Sequence, residues 1–145
     1  MATPTLDGSL VDWASATRLD SDLTGVLGYA LYGQGDASAF YFAISAPSGT
    51  AIGLNTTIWI DTDLNSQTGF SVFGAAGAEY NINIDNSGNV ALYTGGAGGV
   101  KVADLSAVFN SDKSVIEIAL PKTLLAGTPD LVRVYADVND ATFLP

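Results

Sequence analysis

Short runs of alternating apolar and polar residues dominate the chain. In residues 79–85, EYNINID, the apolar positions Tyr80, Ile82 and Ile84 alternate with polar ones, and residues 39–46, AFYFAISA, alternate as regularly. A period of two is typical of strands that bury one face. Many such runs separated by polar turns predict an all-β fold, an antiparallel β-sandwich of the jelly-roll or immunoglobulin-like two-sheet type. We expect a single module over residues 1–145.

Further elements follow from the same pattern. Strands are predicted at residues 26–32, 57–60, 90–93, 114–120 and 131–138, turns at 33–36 and 86–89, and one helical turn at 121–125. The run at 131–138 is expected to be the last strand. Trp13 is expected to close one end of the core, and Glu117 is expected to face outward.

Composition excludes several kinds of chemistry. The 145 residues contain no cysteine and no histidine, so disulfides, thiolate chemistry and Ser-His triads are ruled out. Acidic residues outnumber basic ones 15 to 5, for a net charge of −10. Such a surface repels nucleic acid and anionic membranes, and no apolar run is long enough for membrane insertion. Few basic residues, no cysteine and Asp-rich loops favour a secreted, extracellular bacterial module. We also expect neighbouring domains in a larger parent chain.

One stretch, residues 57–69 with the sequence TIWIDTDLNSQTG, carries a candidate metal site. It begins as a strand and then places Asp61, Asp63, Asn65 and Gln67 at alternate positions. Ca²⁺ takes about 6–8 oxygen ligands, which alternate residues of a curling loop can supply. Glu79, at the start of the next alternating run, would lie alongside if the two strands pair, and it supplies a further carboxylate.

The loop does not continue as an EF-hand. Ser66 stands where that motif needs glycine, Val72 stands where it needs the bidentate glutamate, and no helical pattern flanks the loop. Asp, Asn, Ser and Gly also favour turns in any protein. A solvated turn without a metal is therefore the alternative interpretation of the same residues.

The order of four segments resembles the family 9 carbohydrate-binding modules and the related DOMON-like β-sandwiches. The segments are LDGSLVDW (6–13), IWIDTDLNSQTG (58–69), GAEYNINID (77–85) and IEIALPKTLL (116–125). This resemblance implies a structural calcium held by Asp61, Asp63, Asn65 and Glu79, and a sugar-binding role through aromatic side chains. Haem-binding DOMON members need His or Met axial ligands; histidine is absent and Met1 is the sole methionine, so that branch is set aside.

A ligand face is predicted from the strand positions that alternate away from the core. Aromatic rings stack on the apolar faces of sugars, while amides and charged groups bind hydroxyls. The candidate ligand-binding residues are Trp59, Asn81, Asn83, Tyr93, Arg133 and Tyr135. The alternative is that the aromatic residues are half-buried under loops and the polar residues are merely solvated.

These observations favour a calcium-stabilised, non-catalytic module that binds an oligosaccharide or polysaccharide. The alternative is a structural or adhesive cell-surface module with calcium and no sugar ligand. An enzyme is not expected, because Glu79 and Glu117 are the only glutamates and Glu79 is assigned to the metal. No nucleophile elbow, phosphate loop or cofactor fingerprint is present, so no catalytic residue is assigned.

Overall fold

The computed structural model of the protein describes residues 3–20, 28–53, 55–72, 76–85, 87–95 and 99–144. Within these ranges the chain forms thirteen short strands, two 3-10 helices and no α-helix. The strands are β1 (Thr17–Arg18), β2 (Ala30–Gly35), β3 (Ala39–Ser45), β4 (Thr57–Asp61), β5 (Phe70–Val72), β6 (Ala76–Ala78), β7 (Tyr80–Ile84), β8 (Val90–Thr94), β9 (Lys101–Asp104), β10 (Ala107–Phe109), β11 (Val115–Pro121), β12 (Arg133–Val138) and β13 (Thr142–Leu144). The 3-10 helices are Val11–Trp13 and Lys122–Leu124. No helix in the described ranges has the length and apolarity to cross a membrane.

Two antiparallel sheets pack face to face, which confirms the predicted all-β sandwich. The first sheet has the strand order β1-β2-β3-β11-β10, and the second has the order β13-β12-β4-β7-β8-β9. Strands β5 and β6 form a separate two-stranded hairpin. The register pairs β4 with β7, as the metal-site prediction requires, since it brings Glu79 beside the end of β4.

The core lies between the inner faces of the two sheets. It is built from the apolar positions of the alternating runs, including Phe42, Ile44, Ile116, Ile118, Ile58, Ile60, Ile82 and Leu92. Full burial of each such side chain contributes about 1.5–3 kcal/mol relative to an exposed one. Ile118 is 1 % exposed, so its replacement by alanine would cost about 2–5 kcal/mol through lost contacts and a cavity.

Several local predictions are confirmed. Strands β2 and β3 form one hairpin and β7 and β8 form another. The helical turn predicted at 121–125 is the 3-10 helix Lys122–Leu124. Residues 26 and 27 of the predicted strand 26–32, and Asn86 of the predicted turn 86–89, lie outside the described residues.

Two boundary predictions are wrong. Strand β2 continues through Gly35, so the turn predicted at 33–36 begins only at Asp36, whose carboxylate accepts hydrogen bonds from the backbone N–H groups of Ser38 and Ala39. The run at 131–138 is not the last strand, because Thr142–Leu144 returns to pair with β12. Strand β13 has only three residues, which is too short for an alternating pattern to be recognised in the sequence.

The prediction that Trp13 closes an end of the core is also wrong. Trp13 is 1 % exposed, but it lies against the outer face of the first sheet, where its ring contacts Tyr32 with 6.4 Å between the ring centroids. Glu117 lies on that face too, which confirms its predicted outward orientation, but it is 0 % exposed and does not meet solvent. The N-terminal segment covers this part of the sheet, which strand alternation alone could not indicate.

The hairpin of β5 and β6 covers part of the outer face of the second sheet. Val72 and Ala78 are buried, and the half-buried rings of Trp59, Tyr135 and Phe143 pack against them. This small second cluster makes one region of the outer face apolar. The alternative that some of the aromatic residues lie half-buried under a loop therefore describes Trp59 and Tyr135.

Candidate functional site

Three carboxylates converge where β4 ends and β7 begins. One carboxylate oxygen each from Asp61, Asp63 and Glu79 lies within 4.8 Å of the other two. Asp61 is the last residue of β4, and Glu79 is held beside that strand because its backbone N–H donates to the Ile60 carbonyl at 3.0 Å. The sheet register thus assembles the group that spacing along the chain predicted.

Asp61 is the buried member of the group. It is 1 % exposed, its Oδ1 accepts a hydrogen bond of 3.2 Å from the Asn65 N–H, and its Oδ2 accepts none from the described residues. Burial raises the pKa of Asp61, and so do the Asp63 carboxyl, with which it can share a proton, and the negative charge of Glu79. A buried carboxylate oxygen without a donor is costly, because nothing replaces its lost hydration.

The other two carboxylates are oriented by threonines. Asp63 Oδ2 accepts a hydrogen bond of 2.6 Å from the Thr68 hydroxyl, which is the main cause that lowers the pKa of Asp63. Glu79 Oε2 accepts one of 2.8 Å from the Thr62 N–H. Neither threonine is among the predicted site residues; the only signal for them in the sequence is that both lie in the loop TDLNSQT that follows Asp61.

Two glycines allow the covering hairpin to approach the carboxylates. Gly69 has φ +77°, and a Cβ there would lie 2.6 Å from the Ala78 carbonyl oxygen and 2.7 Å from Glu79 Oε1. A Cβ on Gly77 would collide with the Thr68 carbonyl oxygen. Any side chain at these positions would therefore displace the walls of the site.

Asn65 and Gln67 have different surroundings from the carboxylates. Both residues are exposed, the Asn65 side-chain oxygen accepts a hydrogen bond of 3.0 Å from the Gln67 N–H, and the Gln67 side-chain amide donates to the Ser66 hydroxyl at 3.4 Å. The Asn65 side chain thus stabilises the turn beside the carboxylates, and the Gln67 side chain is hydrogen-bonded to its neighbour in the same loop.

No lysine or arginine of the described residues forms an ion pair with these three carboxylates. Arg133 is paired with Asp61 in the strand register, but its side chain is exposed and makes no such contact. The site therefore concentrates carboxylate groups without an ion-paired lysine or arginine of the described residues.

The residues of the predicted ligand face differ in their exposure to solvent: some are buried, and others are accessible. Asn81 is 0 % exposed, so the expectation that it faces solvent is wrong; its side-chain amide donates to the Gly95 carbonyl at 2.6 Å. Asn83 donates to the Asn81 side chain and accepts from the Thr57 hydroxyl. These side chains form a polar row on the outer face of the second sheet, in which Asn83 bonds to Asn81 along β7 and to Thr57 on the neighbouring strand β4.

Tyr93 belongs to the accessible part of this face. It is half-buried and lines a polar groove of about 300 Å³ together with Asp85, Asn89, Lys101 and Asp104. Lys101 and Asp104 form an ion pair of 2.6 Å at one side of the groove. The groove therefore presents one aromatic ring among amide, carboxylate and ammonium groups.

A second acidic group lies on the outer face of the first sheet. Asp7, Asp12 and Glu117 also have carboxylate oxygens within 4.8 Å of one another. Here the buried member is fully engaged: Glu117 accepts N–H hydrogen bonds from Asp7 at 2.8 Å, from Gly8 at 2.5 Å and from the Trp13 indole at 2.6 Å. These donors already compensate the carboxylate, so this group is a structural anchor.

Comparisons with known proteins give no match: no protein-family model, no curated protein and no solved structure matches the chain. The resemblance to family 9 carbohydrate-binding modules therefore stays a prediction carried by the four short segments.

Proposed function

We propose that the protein is a calcium-stabilised, non-catalytic carbohydrate-binding module of a secreted bacterial protein. The metal would be held by Asp61, Asp63 and Glu79, with Asn65 shaping the loop around it. Calcium would supply a structural charge that joins the end of β4, the loop and the start of β7.

A single observation carries the metal proposal: Asp61 is 1 % exposed and its Oδ2 accepts no hydrogen bond from the described residues. Native proteins rarely leave such an atom without a partner. A cation bound between Asp61, Asp63 and Glu79 would satisfy that oxygen and offset the mutual repulsion of the three carboxylates. The surrounding donors, Thr62 and Thr68, hold the other oxygens in place and leave Asp61 Oδ2 to a ligand.

The donor set favours calcium over other metals. All three charged groups are carboxylates, and the chain has neither the histidine nor the cysteine that zinc and copper prefer. Magnesium requires a near-ideal octahedron, whereas calcium accepts an irregular set of carboxylate, carbonyl and water oxygens. A site on a loop between two strands suits the more tolerant ion.

The metal proposal is tested by calorimetry with the metal alone. Titration of EDTA-treated protein with Ca²⁺ is expected to give one site, and saturating Ca²⁺ is expected to raise Tm by several degrees, since a ligand bound only by the folded state stabilises it. Asp63→Asn should abolish binding, while Asp104→Asn, which removes an exposed acid elsewhere, should not. Absence of heat and of any Tm shift would contradict the proposal.

Sugar binding is supported by the groove around Tyr93. A half-exposed ring can stack on a pyranose, while Asp85, Asn89 and Lys101 can bind its hydroxyls. The groove lies on the outer face of the second sheet, the face predicted to bind, but at the β8–β9 side, away from the hairpin that packs on Trp59 and Tyr135.

A glycan array with and without Ca²⁺ tests the sugar proposal. The expected result is binding that Tyr93→Ala weakens by at least about tenfold. Phe70→Ala is a matched control, because Phe70 is an exposed aromatic residue outside the groove. Calcium binding without any glycan binding would favour the alternative, a structural or adhesive module; equal losses in both variants would contradict the groove as the site.

A further inference from the structure

A cleft of about 450 Å³ opens at the end of the sandwich where β2 turns into β3. It shares no residue with the carboxylate group or with the Tyr93 groove. Phe40 and Phe42 line it from the first sheet, and Val134 lines it from the second. A concave, mostly apolar space of this size is typical of small-molecule sites, which measure about 300–1,000 Å³.

Strand β2 places two glycines on its inner face, where they line the cleft. Gly33 and Gly35 are paired with Phe42 and Phe40, so they occupy core-facing positions without contributing side chains. Leu19 covers Gly33 so closely that a Cβ there would lie 2.6 Å from its Cδ1. At Gly35 a Cβ would lie 3.3 Å from the Ala39 carbonyl oxygen and from Phe40 Cδ1, so the Phe40 ring packs over this glycine at the wall of the cleft.

Lys122 supplies the one basic group among the residues that line the cleft. It is 9 % exposed, and its Nζ lies 4.7 Å from the centroid of the Phe40 ring. Within the described part of the chain no carboxylate lies within 4.0 Å of this nitrogen. The Lys122 side chain is mostly buried against this ring in a cation–π contact, and no carboxylate of the described residues neutralises its charge.

Two acids also line the cleft, and neither neutralises Lys122. Asp36 accepts hydrogen bonds from the backbone N–H groups of Ser38 and Ala39 and from the Thr3 and Tyr41 hydroxyls, and these bonds, the one from Ser38 first, lower the pKa of Asp36. Both of its oxygens are therefore engaged by these neighbours. Asp130 is exposed.

We propose that this cleft is a second binding site, which takes a small molecule with one anionic group on an apolar body. The anion lies against Lys122 and the apolar body lies along Phe42 and Val134, with Leu131 at the exposed edge. This assignment is independent of the proposed calcium and sugar sites, since it uses none of their residues.

Three probes of equal length and different charge test the assignment: octanoate, 1-octanol and octylammonium. Isothermal titration calorimetry on the full chain is expected to show saturable octanoate binding, with 1-octanol at least about tenfold weaker, because a charge-assisted contact is worth about 1.5–3 kcal/mol. Amide signals around Lys122 should shift in NMR spectra during the same titration.

Substitutions test whether Lys122 is the group that binds the carboxylate of octanoate. Lys122→Met should weaken octanoate binding at least about tenfold. Lys113→Met is the matched control, because Lys113 is exposed and also lies over a ring, 5.5 Å from the Phe109 centroid. If Lys122→Met does not fold, Leu131→Asp tests the same site, since Leu131 is 65 % exposed and an acid there repels the anion.

Several results would overturn the assignment. They are no octanoate binding at millimolar concentration, equal binding of octanoate and 1-octanol, tighter binding of octylammonium, and equal losses in Lys122→Met and Lys113→Met. In the Leu131→Asp variant, unchanged octanoate affinity would overturn it as well.

Discussion

The Trp13 indole Nε1 donates a hydrogen bond of 2.6 Å to Glu117 Oε1, across 104 residues of sequence. Both side chains are at most 1 % exposed. Two backbone N–H groups, of Asp7 and Gly8, donate to the other oxygen of Glu117. One buried carboxylate thus fastens the N-terminal segment to the outer face of the first sheet, with no lysine or arginine of the described residues forming an ion pair with it.

We predict that Glu117→Gln lowers the free energy of unfolding by about 3 kcal/mol, because the neutral amide places its own N–H₂ against N–H donors. Trp13→Phe should cost less, since it removes one donor and keeps most of the ring. Urea unfolding measures both changes. A double-mutant cycle should give a coupling of about 0.5–3 kcal/mol between the two sites; additive effects would contradict the anchor.

We predict opposite effects of Asp61→Asn in the absence and presence of calcium. Burial first, then Asp63 and Glu79, raise the pKa of Asp61, so its ionised form destabilises the metal-free fold above its unfolded pKa. Without metal, the variant should melt about 2–5 °C above the natural protein at pH 7. With saturating Ca²⁺ it should melt below it, because a ligand is lost.

Scanning calorimetry in EDTA and in Ca²⁺ measures whether the order of the two Tm values, of Asp61→Asn and of the natural protein, reverses when calcium is added. Asp104→Asn removes an exposed carboxylate elsewhere, and its Tm relative to the natural protein should be the same in EDTA and in Ca²⁺. If Asp61→Asn is less stable than the natural protein under both conditions, Asp61 is a structural acceptor and the cation site is wrong.

We predict that Gly69→Ala destabilises the fold by about 1–3 kcal/mol and weakens calcium binding. Gly69 has φ +77°, and a Cβ there would lie 2.7 Å from Glu79 Oε1. Gly127→Ala is the matched control, because Gly127 has φ +76° with nothing within 4 Å of a Cβ. Urea unfolding separates the two effects: the control reports the cost of the backbone conformation alone, and equal costs would mean that crowding at Glu79 is unimportant.

We predict a pH-dependent contribution from Asp112. Hydrogen bonds from the Ser114 hydroxyl, the Ser114 N–H and the Gly49 N–H lower the pKa of Asp112 to about 2. A depressed folded pKa means that the stabilisation is present above the unfolded value of about 3.9 and is lost as the pH falls toward 2. Asp112→Asn should therefore lower Tm at pH 7, and the difference should shrink between about pH 4 and pH 2.

Melting curves from pH 2 to pH 7 measure this difference. Asp130→Asn, at another exposed acid, is the control and should lower Tm at pH 7 less than Asp112→Asn does. A difference between the natural protein and Asp112→Asn that stays constant with pH would show that the variant acts through shape rather than charge.

Strand alternation was sufficient to predict the sandwich and most of its core. Ile82, Ile118 and Val134 are buried as their positions in alternating runs predict, because a strand in a two-layer fold must turn one face inward. The spacing of Asp61 and Asp63 with a distant Glu79 likewise predicted which carboxylates meet. These are local patterns, or pairings between neighbouring strands.

The outward positions could not be interpreted in the same way. Asn81, Glu117 and Trp59 all alternate away from the core, yet the first two are fully buried and the third is half-buried. Alternation reports which side of a sheet a residue occupies, and it does not report what else packs on that side.

The sequence by itself determined the fold class, the inner faces of the strands and the acidic residues at the end of β4. Only the tertiary structure decided which outer-face residues meet solvent, because the N-terminal segment and the β5–β6 hairpin each cover part of a sheet through contacts between distant parts of the chain. It also decided that Lys122 lies at the cleft beside Phe40, since the two residues are brought together by the packing of the 3-10 helix against the β2–β3 turn. Periodicity carries information over a few residues, whereas the burial of a charged or aromatic side chain depends on which segment packs over it.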